Sequence, residues 1–228
     1  MVAERFADRV QAGRVLAREL RGYAGRPGVL VLALPRGGVP VAYEVARALG
    51  VPLDIFLVRK LGVPGHEELA MGAIASGGIR VLNEDVLRHV PVPPEMIDIV
   101  AGRELRELER REAAYRDDRP EPEIRGRTVI LVDDGLATGS TMRAAVAALH
   151  SQHPARLVVA VPVAARETCE SFRALVDDIV CPLTPTPFHA VGMWYVNFDQ
   201  TTDDEVRDLL ARARQAHPAG AATGGEGR

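Results

Sequence analysis

The stretch Val129-Ile130-Leu131-Val132-Asp133-Asp134-Gly135-Leu136-Ala137-Thr138-Gly139-Ser140-Thr141 decides how this chain is read. Four apolar residues in a row suit a strand buried on both faces. Two adjacent carboxylates follow at the C-terminal end of that strand, where open α/β sheets bind their ligands. Small and hydroxyl-bearing residues then make a turn that opens a helix near Gly139. The start of a helix offers unpaired N–H groups and the positive end of its dipole, so this turn suits a phosphate. Thr138, Ser140 and Thr141 add hydroxyl donors, and the two acids suit sugar hydroxyls or a divalent metal. The string has no Gly-Lys-Ser/Thr, so it is not a nucleotide-triphosphate P-loop, and it lacks the G-x-G-x-x-G dinucleotide fingerprint. Taken alone, the same residues also suit an ordinary helix start behind a strand with an acidic edge.

Outward from this stretch the pattern is that of an α/β domain. Phe6, Val10, Leu16, Leu20 and Tyr23 recur at helical spacing over 7–23, and Arg26-Pro27-Gly28 breaks that helix. Val29 to Leu34 reads as a buried strand, Pro35-Arg36-Gly37-Gly38 as a tight loop, and 39–49 as a helix stopped by Gly50. Asp54 to Val58 reads as a second strand. Residues 61–70 read as a mobile loop, and Met71–Ala75 with Ile79–Leu82 as a hairpin about Ser76-Gly77-Gly78. Residues 94–116 form a charged helix with an apolar stripe of Ile97, Val100, Ala101, Leu105 and Leu108, and Glu107–Arg111 is a favourable pair one turn apart. Leu157–Val161 and Asp178–Cys181 are further strands, with a helix at about 166–176 between them. The order predicts a doubly wound, mostly parallel sheet with a helical and hairpin insertion and a small hood. A single domain over 1–214 is expected, with a core at 28–185, an insertion at about 61–123, and a hood from the N-terminal helix and about 183–214. A disordered tail is expected over 215–228.

Composition narrows the function. In 228 residues there are 28 basic and 31 acidic side chains, a net charge of −3, which argues against a broadly basic nucleic-acid binder. No apolar run is long enough for a membrane span. The N-terminus MVAERFADRV lacks the apolar core of a signal peptide, so the cytoplasm is expected. Cys169 and Cys181 make neither a disulfide scaffold nor a metal cage and read as plain buried thiols. Lys60 is the one lysine, so any step that needs a lysine must use it.

The thirteen-residue string closely resembles the phosphoribosyl pyrophosphate (PRPP) motif of the type I phosphoribosyltransferases. The resemblance implies that Asp133 and Asp134 contact the ribose hydroxyls, and that the loop through Gly135, Leu136, Ala137, Thr138, Gly139, Ser140 and Thr141 wraps the 5-phosphate. Gly135 departs from the pattern, since an aliphatic residue is more usual there. Pro35-Arg36-Gly37-Gly38 is similar to the family's pyrophosphate loop, which implies a cis peptide at Pro35–Arg36 and close backbone approach to an anion. Arg59-Lys60 resembles the start of the family's mobile catalytic loop, which closes over PRPP and excludes water. His66 lies in the same loop and could join them, but a lone loop histidine more often faces solvent. The aromatic stretch 188–199 resembles the base-binding hood, with Trp194, Tyr195 and Phe198 as candidates for stacking or for ordinary hood packing.

What the resemblance implies is a transfer of ribose 5-phosphate from PRPP to a nitrogenous base, expected to be a nucleobase, with release of pyrophosphate. Mg²⁺ would be held mainly by PRPP, near Asp133 and Asp134, and Arg36, Arg59 and Lys60 would stabilise the departing pyrophosphate. The acceptor stays open. Ala137 stands where 6-oxopurine enzymes carry an acid, and the region around Val161-Pro162-Val163 has no lysine. A non-catalytic PRPP or nucleotide sensor on the same fold is the alternative, with a Mg-dependent phosphohydrolase as a third class. Family precedent and the apolar stripe of the 94–116 helix are consistent with a homodimer.

Overall fold

The computed structural model describes residues 5–116 and 120–217. Its centre is a parallel five-stranded sheet in the order β2-β1-β6-β7-β8. These strands are β1 (Val29–Ala33), β2 (Leu53–Ile55), β6 (Thr128–Val132), β7 (Arg156–Ala160) and β8 (Asp178–Val180). Alternation sorts each central strand onto two cores. Val31, Ile130 and Val158 face one side, while Leu32, Leu131 and Val159 face the other. α1 (Arg9–Glu19), α2 (Gly38–Leu49) and α7 (Asp203–Ala216) cover the first side. α5 (Ser140–Ser151) and α6 (Arg166–Phe172) cover the second. The sheet is therefore doubly wound, as the sequence order predicts. From β1 the chain runs outward to β2, and from β6 it runs the other way to β7 and β8. The switch point lies between β1 and β6, which pair in register from Val29↔Thr128 to Ala33↔Val132.

Between β2 and β6 the chain builds an antiparallel sheet of β3 (Val58–Val63), β4 (His66–Ala75) and β5 (Ile79–Leu82), then α3 (Glu84–His89) and α4 (Pro94–Arg116). The expected strand 54–58 is divided here. Its first part pairs with β1, and Val58 starts the second sheet, so the insertion begins three residues before the expected boundary. Phe56 and Leu57 make the crossing and bury into opposite cores. The mobile loop expected at 61–70 is instead a β-hairpin turning at Pro64-Gly65. Register shifts at Leu61/Gly62 and Gly62/Val63 break the alternation that marks a strand, which is why glycine content alone misleads there. The hairpin about Ser76–Gly78 forms as expected.

α4 occupies the predicted span and docks its C-terminal end through Arg116. That buried guanidinium donates to Asp54 Oδ1 at 3.0 Å and to the Ile55 carbonyl at 2.6 Å, next to the end of β2. α7 has no counterpart in the sequence reading. Thr202 caps it by accepting from Glu205 N–H at 3.1 Å, and Val206, Leu210 and Ala213 form its buried face. Gln215 and Ala216 belong to this helix and not to a tail, and His217 caps its end; the rest of the expected tail, from Pro218, lies outside the described residues.

Leu131 is fully buried in the middle of β6. Leu131→Ala should lower the unfolding free energy by roughly 2–5 kcal/mol, seen as a lower urea midpoint at unchanged slope. A loss below about 0.5 kcal/mol would contradict this packing.

Candidate functional site

The site is built where β1 and β6 end side by side. The peptide Pro35–Arg36 is cis, as the resemblance implies. Just beyond it, Gly37 and Gly38 pass beside Asp133 and Asp134. A Cβ on Gly37 would sit 2.1 Å from Asp134 Oδ2, and one on Gly38 would sit 2.8 Å from the Val132 carbonyl oxygen and 3.0 Å from Asp133 Cα. A Cβ at 38 would meet backbone and is excluded, whereas one at 37 would have to displace the Asp134 carboxylate. The N–H of Gly38 donates to the Leu34 carbonyl at 3.1 Å, so it is not available to an anion. Close approach, more than amide donation, is what requires glycine at 38.

The loop after the acids divides similarly. Leu136 is buried, and its N–H donates to the Val163 carbonyl at 2.9 Å, so this residue anchors the loop instead of facing a ligand. From Ala137 the loop runs over α6, where Thr168 Oγ1 donates to the Ala137 carbonyl at 2.6 Å. Gly139 adopts φ 76° and rests on Phe172 and Thr168. It precedes α5 with no side-chain cap, so the first N–H groups of that helix have no side-chain acceptor. The unusual Gly135 has a local cause. A Cβ there would lie 2.4 Å from Val191 Cγ1, so Val191 of the hood fills the space an aliphatic residue would take.

One participant was not foreseen from sequence. Arg9 of α1 places Nε and Nη2 each 2.9 Å from Asp134 Oδ2. Its Nη1 donates to the Asp199 carbonyl at 2.7 Å, and its guanidinium carbon lies 4.0 Å from the Phe198 ring centroid. The N-terminal helix is thereby tied to the acid pair and to the hood. No local motif marks Arg9, because its partners are more than a hundred residues away in sequence. Tyr195 is buried, packs against Phe6 and Phe198, and donates its hydroxyl to the Asp134 carbonyl at 2.5 Å. It thus supports the acids from beneath, by packing and by its hydroxyl. Phe198 remains partly exposed, and Trp194 sits half-buried in the turn Val191–Trp194.

The three expected pyrophosphate cations are not brought together. Arg36 lies 3.7 Å from Asp203 of α7, bordering a cleft of about 400 Å³ against residues 200–207. Arg59 is on β3, with Nε and Nη2 each 2.6 Å from Glu104 Oε2 of α4. Lys60 is exposed one residue further along the strand, and so points to the opposite face. His66, at the start of β4, is exposed.

Electrostatics single out the acid pair. Burial, then the charge of Asp134, pushes the Asp133 carboxyl well above the ordinary carboxylate range, despite a bond from Asp134 N–H to Asp133 Oδ1 at 2.8 Å. Burial also raises Asp134, with Arg9 opposing. Burial and the nearby acids push the Tyr195 phenol up.

Comparisons with known proteins agree with this architecture. A family model described as a phosphoribosyl transferase domain matches residues 4–193. A Mycobacterium tuberculosis protein named as a phosphoribosyl transferase is 46% identical over 210 residues, covering 92% of this chain and 47% of its own length. The chain thus spans about half the length of its mycobacterial relatives. The bifunctional protein PyrR of Chloroflexus aurantiacus is 33% identical over 129 residues, covering 55% of this chain and 65% of its own length. The crystal structure of TT1426 from Thermus thermophilus superposes with a TM-score of 0.82 at 44% identity, covering 91% of this chain and 98% of that one.

An acid whose folded pKa is raised destabilises the fold once it ionises, so stability falls as pH rises from the ordinary value of about 3.9 through the raised one. Asp133→Asn keeps the acceptor for Asp134 N–H and removes the charge. Its thermal midpoint should exceed that of the parent at pH 7, and the gap should shrink as pH falls toward about 4. A lower midpoint at pH 7 would contradict the electrostatic reading.

Proposed function

The chain belongs to the phosphoribosyl transferase family, and from that membership we propose that it transfers ribose 5-phosphate from PRPP to a nitrogen of a base, releasing pyrophosphate. The observation that carries the proposal is the contact between two loops from different strands. The Gly37–Gly38 backbone lies against Asp133 and Asp134, and the 5-phosphate loop follows directly behind them. One molecule with phosphates at both ends of a sugar suits this spacing.

In this reading the N–H groups of 137–141, with the Thr138, Ser140 and Thr141 hydroxyls, donate to the 5-phosphate. Asp133 and Asp134 accept from the ribose hydroxyls and fix the ring, so that positioning supplies much of the rate. Arg36 and the backbone at Gly37 receive the pyrophosphate, and charge growing on it is met by fixed donors. Arg59 would reach it only after leaving Glu104, and Lys60, on the opposite face of β3, only with movement of that strand. Arg9 holds Asp134 and the Phe198 ring in one unit and orients the acid for the ribose. Phe198 and Trp194 are the hood surfaces offered to the base.

Among the described residues no three His, Cys, Asp or Glu side chains form a metal cage. Of the two acids, Asp133 would help to hold a Mg²⁺ brought with PRPP, since Arg9 takes Asp134 Oδ2. Such an ion would neutralise charge on the leaving pyrophosphate.

The engagement of Arg59 by Glu104 favours one other reading, a non-catalytic PRPP or nucleotide sensor on the same fold. Incubation of Mg-PRPP with a panel of bases separates the two. Steady pyrophosphate release with one base supports transfer, whereas binding with no turnover for any base supports the sensor. In calorimetry, Asp133→Asn combined with Asp134→Asn should weaken Mg-PRPP at least tenfold, about 1.4 kcal/mol. Unchanged affinity would remove the acid pair from the site.

A further inference from the structure

Cys169 and Cys181 are the two cysteines of the chain, and the fold brings them together. Cys169 lies on α6 and Cys181 directly follows β8, yet their Sγ atoms are 2.7 Å apart. Both are free thiols. Cys169 is buried, while Cys181 is half-buried and leaves the pair open to a small oxidant. We propose that they form a redox modification site, a dithiol that a peroxide converts to an intramolecular disulfide, and that this bond changes the order of the 137–141 loop.

The geometry ties the pair to that loop through α6. Thr168, adjacent to Cys169, donates to the Ala137 carbonyl at 2.6 Å. Phe172, three residues beyond, supports Gly139. On the other side of the pair, the chain after Cys181 reaches Leu183, whose carbonyl accepts from Ala164 N–H at 3.0 Å. Ala165 N–H then donates to the Leu136 carbonyl at 3.0 Å. A bond between the sulfurs draws together the two segments that hold the loop from below, because a covalent S–S contact, about 2.05 Å, is shorter than the present one. The thiol chemistry agrees with this. The neighbouring Cys181 thiol lowers Cys169 to about 7, with Arg173 and Arg166 adding to it and burial and Glu170 opposing, while Cys181 is pushed up. One thiolate is therefore available near neutral pH to start the reaction.

The step balances with a peroxide as oxidant. The thiolate attacks the O–O bond, forms a sulfenic acid and releases hydroxide, which becomes water on protonation. The second sulfur displaces hydroxide from the sulfenic sulfur, its proton leaving as water, and the S–S bond forms. Two thiols lose two electrons and two protons, and hydrogen peroxide becomes two waters.

The dithiol does not depend on the function proposed above; only its consequence for a bound ligand rests on that reading. The test treats the full chain with hydrogen peroxide and reads both the mass and amide exchange. The expected result is a loss of about 2 Da, a Cys169–Cys181 cross-linked peptide, and reversal by dithiothreitol. Exchange at 137–141 should change at least threefold between the two states. Cys181→Ser and Cys169→Ser should each abolish the cross-link and the exchange change. Two alkylatable thiols after treatment, a cross-link only between chains, or exchange unchanged on cross-linking would overturn the proposal. Should the reduced protein fail to bind Mg-PRPP while cross-link and exchange change both appear, the dithiol stands and the phosphoribosyl reading falls.

Discussion

Everything at this site depends on how closely the backbone after β1 approaches the acids after β6. A hypothetical Cβ at Gly38 would lie 2.8 Å from the Val132 carbonyl oxygen and 3.0 Å from Asp133 Cα, so no side chain fits between the two backbones there. The approach occurs because β1 and β6 are adjacent and parallel, so the C-terminal ends of both strands emerge side by side at the same end of the sheet. The sheet itself is held by fully buried aliphatic side chains on both faces. Its burial sets the position of the acids, and their burial in turn raises their pKa values. The fold thus tolerates an electrostatic penalty at the place where a polyhydroxyl, polyanionic ligand would find fixed acceptors and donors.

The hood extends this arrangement by making the N-terminus part of the site. Phe6 pairs with Tyr195, and Arg9 joins Asp134, Phe198 and the Asp199 carbonyl. Val191 enters the space left by Gly135. Substitution at Gly135 and movement of the hood are therefore linked, and a chain lacking its first helix would lose the partner of Asp134. The insertion shares the core on one face of the central sheet and also reaches the loop after β1. Tyr115 of α4 donates to Asp203 at 2.5 Å, and Asp203 in turn lies near Arg36. That chain of contacts connects the far end of α4 with the loop after β1.

Much of the central sheet was legible because its signals are local. The runs Val29–Leu34 and Val129–Val132 are continuous and apolar, and the acids, small residues and hydroxyls after the second run follow one another in sequence. The cis peptide at Pro35–Arg36 followed from the resemblance of that loop. What escaped depends on tertiary partners or on broken periodicity. Arg9 has no signal except its position across the fold from Asp134. β3 and the start of β4 hid behind register shifts at Gly62. α7 was recoverable in principle, since Thr202 and Glu205 have the spacing of a capping box and Val206, Leu210 and Ala213 keep helical periodicity. Reading the two cysteines as plain thiols missed their contact, because the intervening residues carry α6 away and β8 back.

In the proposed function the two loops serve a single ligand at once. Titration of the protein with Mg-PRPP, followed by ³¹P NMR, addresses it directly, since the 5-phosphate and the pyrophosphate give separate resonances. The account predicts that all of them shift or broaden together with one saturation point. A perturbation of the pyrophosphate resonances alone, with the 5-phosphate unmoved at saturation, would contradict it.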